Sequence, residues 1–248
     1  MLRTEAAQID IGMSAAIGDM LADFEKFANE RTQAARAHFA KFCKEQRIAV
    51  EARDRGTITA EFREVMGDEA DHLIAESRFH DLTVVAGGPE RASRLSQESL
   101  GAVVTSSGRP VLLVPAKARQ NAFKTIAVAW KAAPEAARAI TAAMPLLEKA
   151  EHVHVLGANE ENAQAMACLD CSDAMTGYLR RHGIKANCHF VIPAGRSVPD
   201  SVVETAQSMG ADLLVMGAYS HSRAREFVFG GFTRHVLHGV NLPVLMVH

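Results

Sequence analysis

Short apolar runs alternate with longer amphipathic stretches through the second half of the chain. The apolar runs predict strands at residues 124–130, 152–156, 184–191, 212–216 and 244–247. The stretches between them predict helices at residues 134–150, 162–182, 200–209 and 231–237. Apolar strands separated by helices of this length are typical of a parallel sheet covered on both faces. Because crossovers between parallel strands are right-handed, the pattern favours a doubly wound α/β sheet.

Two of these segments have earlier counterparts, which indicates a tandem duplication. The segment DLLVMGA at residues 212–218 resembles DLTVVAG at residues 81–87, which begins 131 residues earlier. The segment PVLMVH at residues 243–248 resembles PVLLVP at residues 110–115, which begins 133 residues earlier. Both pairs occur in the same order at nearly the same spacing, so the chain is predicted to consist of two related halves.

The duplication predicts two domains, residues 1–118 and residues 123–248, joined by a short polar stretch. The pattern of the first domain predicts a long helix, a strand, a shorter helix and two strands, at residues 14–46, 48–53, 59–77, 82–86 and 111–114. Nothing in the first domain matches the strand, helix and strand that open the second. The long helix carries four phenylalanines at helical spacing, which predict a core or docking face: Phe24, Phe27, Phe39 and Phe42.

The last strand of each half is a short apolar run that lies at the edge of a sheet with strand order 3-2-1-4-5. We predict that residues 111–114 and 244–247 pair antiparallel, because this closes both edges and relates the halves by an approximate two-fold axis. The first half still lacks strands for the middle of its own sheet. We therefore expect the strand at residues 48–53 to be displaced or completed by a second chain, and a homodimer to form through sheet edges.

Composition and charge exclude several classes of partner. The chain is 48% hydrophobic and 23% charged, which is typical of a packed globular protein. Its net charge of −2 gives no positive electrostatic potential that would attract nucleic acid. No apolar run approaches the roughly 20 residues that cross a membrane, and acids occur in the first 20 residues. We therefore interpret the protein as soluble and cytoplasmic. Its four cysteines are expected to be reduced, with Cys168 and Cys171 as packing residues within a helix.

The segment from Gly217 to Thr233 is the strongest candidate for chemistry. It begins at the predicted carboxyl end of a parallel strand and finishes in a helix, where doubly wound folds bind ligands. Glycines there let a ligand approach the backbone, and the amides of a first helical turn attract phosphate. Hydroxyl and guanidinium groups in the segment are those of Ser220, Ser222, Thr233, Arg223 and Arg225. These groups are the donors that phosphate oxygens require.

This segment resembles the universal stress protein family, whose nucleotide-binding members carry Gly, two residues, Gly, nine residues, Gly and then Ser or Thr. The matching positions are Gly217, Ser220 in place of the second glycine, Gly230, and Gly231 in place of Ser or Thr. The resemblance implies two flavodoxin-like halves, a role in the stress response, unknown client proteins, and binding of ATP or a related adenine nucleotide in the second half. The residues it implies for that site are Gly217, Ser220, His221, Ser222, Arg223, Gly230, Gly231, Phe232 and Thr233.

The chain also departs from the family pattern. Members that bind nucleotide commonly end the first strand in an Asp, whereas this chain has Trp130 and Lys131 there. Trp130 can stack on a base and Lys131 can reach a phosphate, but either can equally cover the sheet end or face solvent. Two alternatives therefore stay open, a ligand-free structural or protein-interaction member and a slow nucleotide hydrolase with His221 as the sole candidate base.

No metal site is predicted from the sequence, and Mg²⁺ would enter only with ATP. His152 and His154 share one strand face, and His235 and His238 are three residues apart on the last predicted helix. Each pair lacks a third ligand, so solvated or interface histidines are the simpler interpretation.

Overall fold

The computed structural model describes residues 3–50, 56–87, 96–115, 118, 123–158, 165–218 and 231–248. The chain forms two compact units, Met1–Met66 and Gly67–His248. The domain division at residues 118 and 123 rests on the duplication in the sequence and stays a prediction. Each compact unit is described by itself below.

The first unit consists of a long helix and two short strands. These are α1 (Arg3–Gln46), β1 (Ala49–Val50) and β2 (Thr59–Ala60), and the two strands pair in parallel. The Phe39 and Phe62 rings lie 5.6 Å apart, and the Arg36 guanidinium lies 5.1 Å from the centre of the Phe62 ring. Of the strand predicted at residues 48–53, the described part is β1, which pairs with β2 in a separate two-stranded sheet, while residues 51–53 lie outside the described residues.

The helix predicted at residues 59–77 begins ten residues later than expected. Residues 59 and 60 form β2, and α2 spans Glu69–Ser77. The Asp68 carboxylate accepts hydrogen bonds from the backbone N–H groups of Ala70 and Asp71, at 2.9 and 3.0 Å. This side-chain cap fixes the helix start, since it satisfies amide donors that have no partner within the helix.

The second unit is built on a seven-stranded sheet. Its strands are β3 (Thr83–Gly87), β4 (Val111–Pro115), β5 (Thr125–Trp130), β6 (His152–Ala158), β7 (Ala186–Val191), β8 (Leu213–Gly217) and β9 (Val244–Val247). Its remaining helices are α3 (Gln97–Ser106), α4 (Pro134–Leu147), α5 (Ala165–Arg181), α6 (Val198–Ser208) and α7 (Gly231–Leu237). The strand order is β3-β4-β9-β8-β5-β6-β7, and all neighbours are parallel except β4 and β9. The fold is thus a flavodoxin-like α/β sheet that is extended by two further strands.

The antiparallel pair of β4 and β9 confirms the predicted closure of the two edges. Val111 lies opposite Met246, and Leu113 lies opposite Val244. Strands β7-β6-β5-β8-β9 have the predicted order 3-2-1-4-5. Because both partners of the antiparallel pair belong to one chain, a second copy would have to use another surface. The homodimer stays a prediction.

Helices cover the sheet on two faces. Helices α2, α3, α6 and α7 pack on one face, where Leu214 and Met246 are fully buried. Helices α4 and α5 pack on the other, where Ile126 and Leu245 are at most 1% exposed. Within the described part of the chain, no helix combines the length and the apolar character needed to span a bilayer. These two cores hold the carboxyl ends of β5, β6 and β8 at one edge of the second unit.

Candidate functional site

A cavity lies where the strand order of the sheet reverses. Strand β5 lies between β6 and β8, so the helices that follow β5 and β8 leave the sheet in opposite directions. The cavity is bordered by Ala129, Leu156 and Met216 near the carboxyl ends of these three strands. Crevices at such a switch point are the usual ligand sites of open α/β sheets.

The walls of the cavity are mostly apolar. Val202 of α6 and Phe232 of α7 contribute side chains, and the volume is about 130 Å³. An apolar cavity of about 150 Å³ holds one benzene ring. The cavity therefore has room for about one six-membered ring, and any larger or polar part of a ligand would extend past the rim. Lys131, which is exposed, lies at that rim.

Gly217 brings α4 against the end of β8. A Cβ atom on Gly217 would lie 2.5 Å from the backbone nitrogen of Ala136 and 2.8 Å from the carbonyl carbon of Glu135. Real Cβ contacts are not this short, so no other residue fits without moving the helix. The first glycine of the predicted phosphate segment therefore has a packing role, since it lets the first turn of α4 form one wall of the cavity.

The amino end of α4 has no side-chain cap. Its N-cap residue is Ala133, which makes no side-chain hydrogen bond, and Pro134 is its first residue. Among the described residues, α2, α3 and α6 begin with capping Asp68, Ser96 and Ser197. Ala133 and Ala136 border the cavity, so the first-turn amides of α4 lie beside it without a side-chain acceptor. The partial positive charge of a helix amino end favours an anion there.

Trp130 is the last residue of β5 and borders the cavity, and its side chain packs on the opposite face of the sheet from that of Ala129. Its side chain is half-buried and packs against the core between β5, α4 and α5. The indole Nε1–H is buried and has no hydrogen-bond acceptor in the described part of the chain. A buried donor without a partner costs about 1 to 3 kcal/mol. This donor lies in the packed core beside the cavity and does not face the cavity.

The structure brings four of the predicted site residues to the cavity: Gly217, Trp130, Lys131 and Phe232. Gly231 opens α7, and a Cβ placed there would meet no described atom within 4 Å. Thr233 is buried in α7 and does not border the cavity. The other five, Ser220, His221, Ser222, Arg223 and Gly230, lie outside the described residues. The apolar wall was not predictable from the sequence, because Ala129 and Val202 have the pattern of ordinary core residues.

The described histidines do not form a metal site. His154 Nδ1 lies 3.0 Å from His189 Nε2 on the neighbouring strand, so one ring donates a hydrogen bond to the other. His235 lies 3.5 Å from an Asp200 carboxylate oxygen, and His238 Nδ1 lies 2.7 Å from the carbonyl oxygen of Arg234. Within the described residues, no group of three His, Cys, Asp or Glu side chains is arranged to hold a metal ion.

The His154 and His189 pair predicts a loss of stability in acid. Burial, and then the neighbouring imidazoles of His189 and His152, lower the pKa of His154. The unfolded chain therefore takes up this proton first, and the free energy of unfolding falls as the pH drops below about 6.5. One such proton contributes at most about 1.4 kcal/mol per pH unit, and less here because His154 is partly exposed.

Urea unfolding at about pH 7.5 and about pH 5.5 measures this loss. We expect His154→Gln to lose less stability between the two conditions than the parent protein. His182→Gln, at an exposed position, should behave like the parent. Equal losses in all three proteins would show that His154 does not carry the effect.

Three comparisons with known proteins agree with this fold. The model of the universal stress protein family matches residues 122–248, just over half of the chain. A universal stress protein from Synechocystis is 25% identical over 172 residues, which cover 65% of this chain and 56% of that relative. The chain thus spans little more than half the length of this curated relative.

Two solved structures share the fold at lower identity. A universal stress protein from Archaeoglobus fulgidus has a TM-score of 0.60 and 18% identity, and the match covers 77% of this chain and 69% of that one. A putative universal stress protein from Pseudomonas aeruginosa has a TM-score of 0.57 and 15% identity, with 85% and 77% covered. The fold, the order of the strands and the match over residues 122–248 lead to one assignment. This chain belongs to the universal stress protein family.

Proposed function

We propose that the protein binds an adenine nucleotide, with ATP as the leading candidate, at the switch point of its second unit. The observation that carries this proposal is the apolar cavity at the carboxyl ends of β5, β6 and β8, with Lys131 at its rim. A nucleotide has the matching composition, since one flat base is joined through a sugar to an anionic group.

The volume of the cavity supports an orientation for the nucleotide. The space of about 130 Å³ has room for about one six-membered ring, so it would take part of the base and leave the sugar and phosphates outside. The base would contact Val202, Met216 and Phe232. This orientation sends the sugar and phosphates toward the rim, where Lys131 lies.

Positive groups at the rim support phosphate binding. Lys131 is exposed and forms no ion pair with any described residue. The uncapped first turn of α4 adds amide donors beside the cavity. The sequence immediately after this wall holds Ser220, Ser222 and Arg223, which we propose as further phosphate contacts. Mg²⁺ would accompany ATP through the phosphates rather than through a site of its own.

We propose a binding and signalling role rather than catalysis. The described side chains that border the cavity include no carboxylate or imidazole that could act as a general base. Hydrolysis, where it occurs, would depend on positioning alone and be slow. In this role, nucleotide occupancy would report the energy state of the cell during stress and change how client proteins are bound.

Identification of the bound molecule tests the proposal directly. The purified protein is denatured, and the released small molecules are identified by mass spectrometry, while calorimetry measures the affinities of ATP, ADP and AMP. An adenine nucleotide that is released and binds again in the micromolar range would support the proposal. Failure of all three nucleotides to bind would instead favour a ligand-free, protein-interaction member of the family.

Removal of the charge at the rim should weaken nucleotide binding. We expect Lys131→Ala to reduce the affinity for ATP about tenfold, because a hydrogen bond to a charged group contributes about 1.5 to 3 kcal/mol. The loss should shrink at high salt, since salt screens an exposed charge. Lys149→Ala removes an exposed lysine that does not border the cavity and should leave the affinity unchanged. If Lys131→Ala and Lys149→Ala bound ATP with equal affinity, the phosphates would not lie beside Lys131.

A further inference from the structure

Strand β3 forms one open edge of the seven-stranded sheet. Among the described residues it pairs with β4 alone, and the Thr83 N–H donates a hydrogen bond to the Pro110 carbonyl oxygen at 3.0 Å. The backbone N–H and C=O groups of successive residues in a strand point to opposite sides. Those of Leu82, Val84 and Ala86 therefore point away from β4. A row of such groups at a sheet edge can pair with another extended chain.

The other open edge, strand β7, is blocked by side chains. Arg180 of α5 donates a hydrogen bond from its Nε to the Ala186 carbonyl oxygen at 2.8 Å, and Lys185 is an exposed charge next to that residue. Residues 82–87 at β3 contain neither a charge nor a proline, the residue types that commonly prevent pairing at an edge. The edge at β3 is therefore the one that is suited to accept a further strand.

The second half of the chain shows which kind of strand fits this edge. Strand β8 is the counterpart of β3, and its Leu214 N–H donates a hydrogen bond to the Pro243 carbonyl oxygen at 2.9 Å. This bond repeats the one that Thr83 makes in β3. On its other side β8 pairs in parallel with β5, whose sequence from Thr125 to Trp130 is mostly apolar and rich in β-branched residues. The free side of β3 therefore matches a parallel strand of the same kind.

Asp81 is placed to receive the amino end of such a strand. Its counterpart, Asp212, accepts hydrogen bonds from the backbone N–H groups of Lys124 and Thr125, at 3.0 and 3.2 Å, and so fixes the start of β5 beside β8. Asp81 occupies the same position ahead of β3 and is exposed, and its carboxylate forms no hydrogen bond or ion pair with any described residue. A carboxylate at this position is a strong acceptor for the first amides of an incoming strand.

The side chains around β3 form an apolar surface on the same edge. Leu82 and Val84 are 38% and 60% exposed, whereas their counterparts in β8, Leu213 and Val215, are fully buried against α4. Phe79, three residues before Leu82, is 84% exposed. A group of exposed large apolar side chains is typical of a surface that binds another protein. In the second half this surface is covered by the helix that follows β5, so a strand followed by a helix would cover it at β3.

We propose that the open edge of β3 is a docking site for a parallel strand of a partner polypeptide. The partner supplies an apolar, β-branched segment without proline. Its first two backbone amides donate to the Asp81 carboxylate, and its later backbone groups pair with those of Val84 and Ala86. Strands β4 and β9 separate β3 from β8, so this site is separate from the cavity. Main-chain pairing supplies the affinity, and the apolar surface at Leu82 and Val84 selects the partner.

A peptide that copies β5 tests the proposal on the full chain. The probe is an acetylated synthetic peptide with the sequence of residues 122–131, labelled with fluorescein at its carboxyl end, and fluorescence anisotropy measures its affinity. We expect saturable binding in the micromolar range. The Thr125 carbonyl oxygen of β5 accepts a hydrogen bond from the Asp212 N–H at 2.9 Å, so Ala127 and Ala129 present their N–H groups on the same side.

Two methylated peptides separate backbone pairing from general stickiness. N-methylation of the peptide residues copied from Ala127 and Ala129 removes the donors that face β3 and should weaken binding at least about tenfold. N-methylation of the residues copied from Ile126 and Val128 adds the same two methyl groups on the outer side. That peptide should keep most of the affinity of the unmodified one.

Variants of the protein locate the peptide at β3. Asp81→Ala removes the proposed acceptor and should weaken the unmodified peptide about tenfold. Val84→Pro removes an N–H that points away from β4, a position at which an edge strand tolerates proline, and should weaken the peptide to a similar extent. Asp173→Ala makes the same charge change as Asp81→Ala at an exposed position on α5, which packs on β6 and β7 at the other end of the sheet. It should bind the peptide as the parent protein does.

Three results would overturn the proposal. The first is the absence of saturable binding, and the second is equal affinity of the two methylated peptides. The third is an Asp81→Ala variant that binds the peptide as tightly as Asp173→Ala does, and this comparison holds even if Val84→Pro does not fold. Sedimentation of the parent as a dimer that Val84→Pro converts to a monomer would show that a second copy occupies the edge, which also contradicts the proposal.

Discussion

Gly217→Ala is expected to destabilise the protein by about 3 kcal/mol, at the upper end of the cost of overpacking a core. The added Cβ would lie 2.5 Å from the backbone nitrogen of Ala136 and 2.8 Å from the carbonyl carbon of Glu135. Both are backbone atoms of the first turn of α4, which cannot move away as the end of a side chain can. The helix would have to shift from β8 and from the cavity that both elements border, so urea unfolding should show the loss and nucleotide binding should weaken with it.

A substitution at a second glycine serves as a control, because its expected effect on stability has the opposite sign. Gly177 lies within α5, and a Cβ placed there would meet only the end of the Arg181 side chain, at 3.9 Å. This is an ordinary contact, so Gly177→Ala should stabilise the protein by about 0.5 to 1 kcal/mol through helix propensity. If both variants had the stability of the parent, α4 would not pack against β8 as closely as the structure has it.

The sequence predicted the second half of the fold well because its signals are local. The apolar runs around β8 and β9 predict these two strands. The predicted bounds of α7 and β9 match the observed Gly231–Leu237 and Val244–Val247. The antiparallel pairing of β4 and β9 was also predictable, since two short apolar edges in one chain close each other. These successes rest on periodicity and on the need to cover sheet edges.

The features that the sequence did not predict correctly also have specific physical causes. Helix α3 was missed because Gln97–Ser106 begins in a polar stretch, where the Ser96 hydroxyl accepts a hydrogen bond from the Ser99 amide and starts the helix. Helix α2 starts late because Asp68 caps it at a fixed point. The cavity was not predictable either. Ala129 and Val202 have the same pattern as fully buried residues, and only the three-dimensional packing leaves a space between them.

Ala129→Leu is expected to weaken nucleotide binding at least tenfold while keeping the protein at least as stable as the parent. Ala129 of β5 borders the cavity and is partly exposed. The larger side chain would fill the space in which we propose that the base lies, so the affinity for ATP should fall at least tenfold, or by about 1.4 kcal/mol. Filling a cavity commonly adds about 0.5 to 2 kcal/mol to the stability of a protein. Calorimetry and urea unfolding should therefore change in opposite directions.

Ala127→Leu makes the same substitution where the structure has no space. Ala127 lies two residues earlier on β5, so it faces the same side of the sheet, and it is fully buried in the core. Overpacking should cost about 1 to 3 kcal/mol of stability. The part of Ala127→Leu that remains folded should bind ATP with an affinity close to that of the parent, because the cavity is unchanged. If Ala129→Leu instead lost stability as Ala127→Leu does and still bound nucleotide, the space beside Ala129 would not be the nucleotide site. The stability changes expected for Ala129→Leu and Ala127→Leu have opposite signs. This difference distinguishes a binding cavity from a packed core on the same strand.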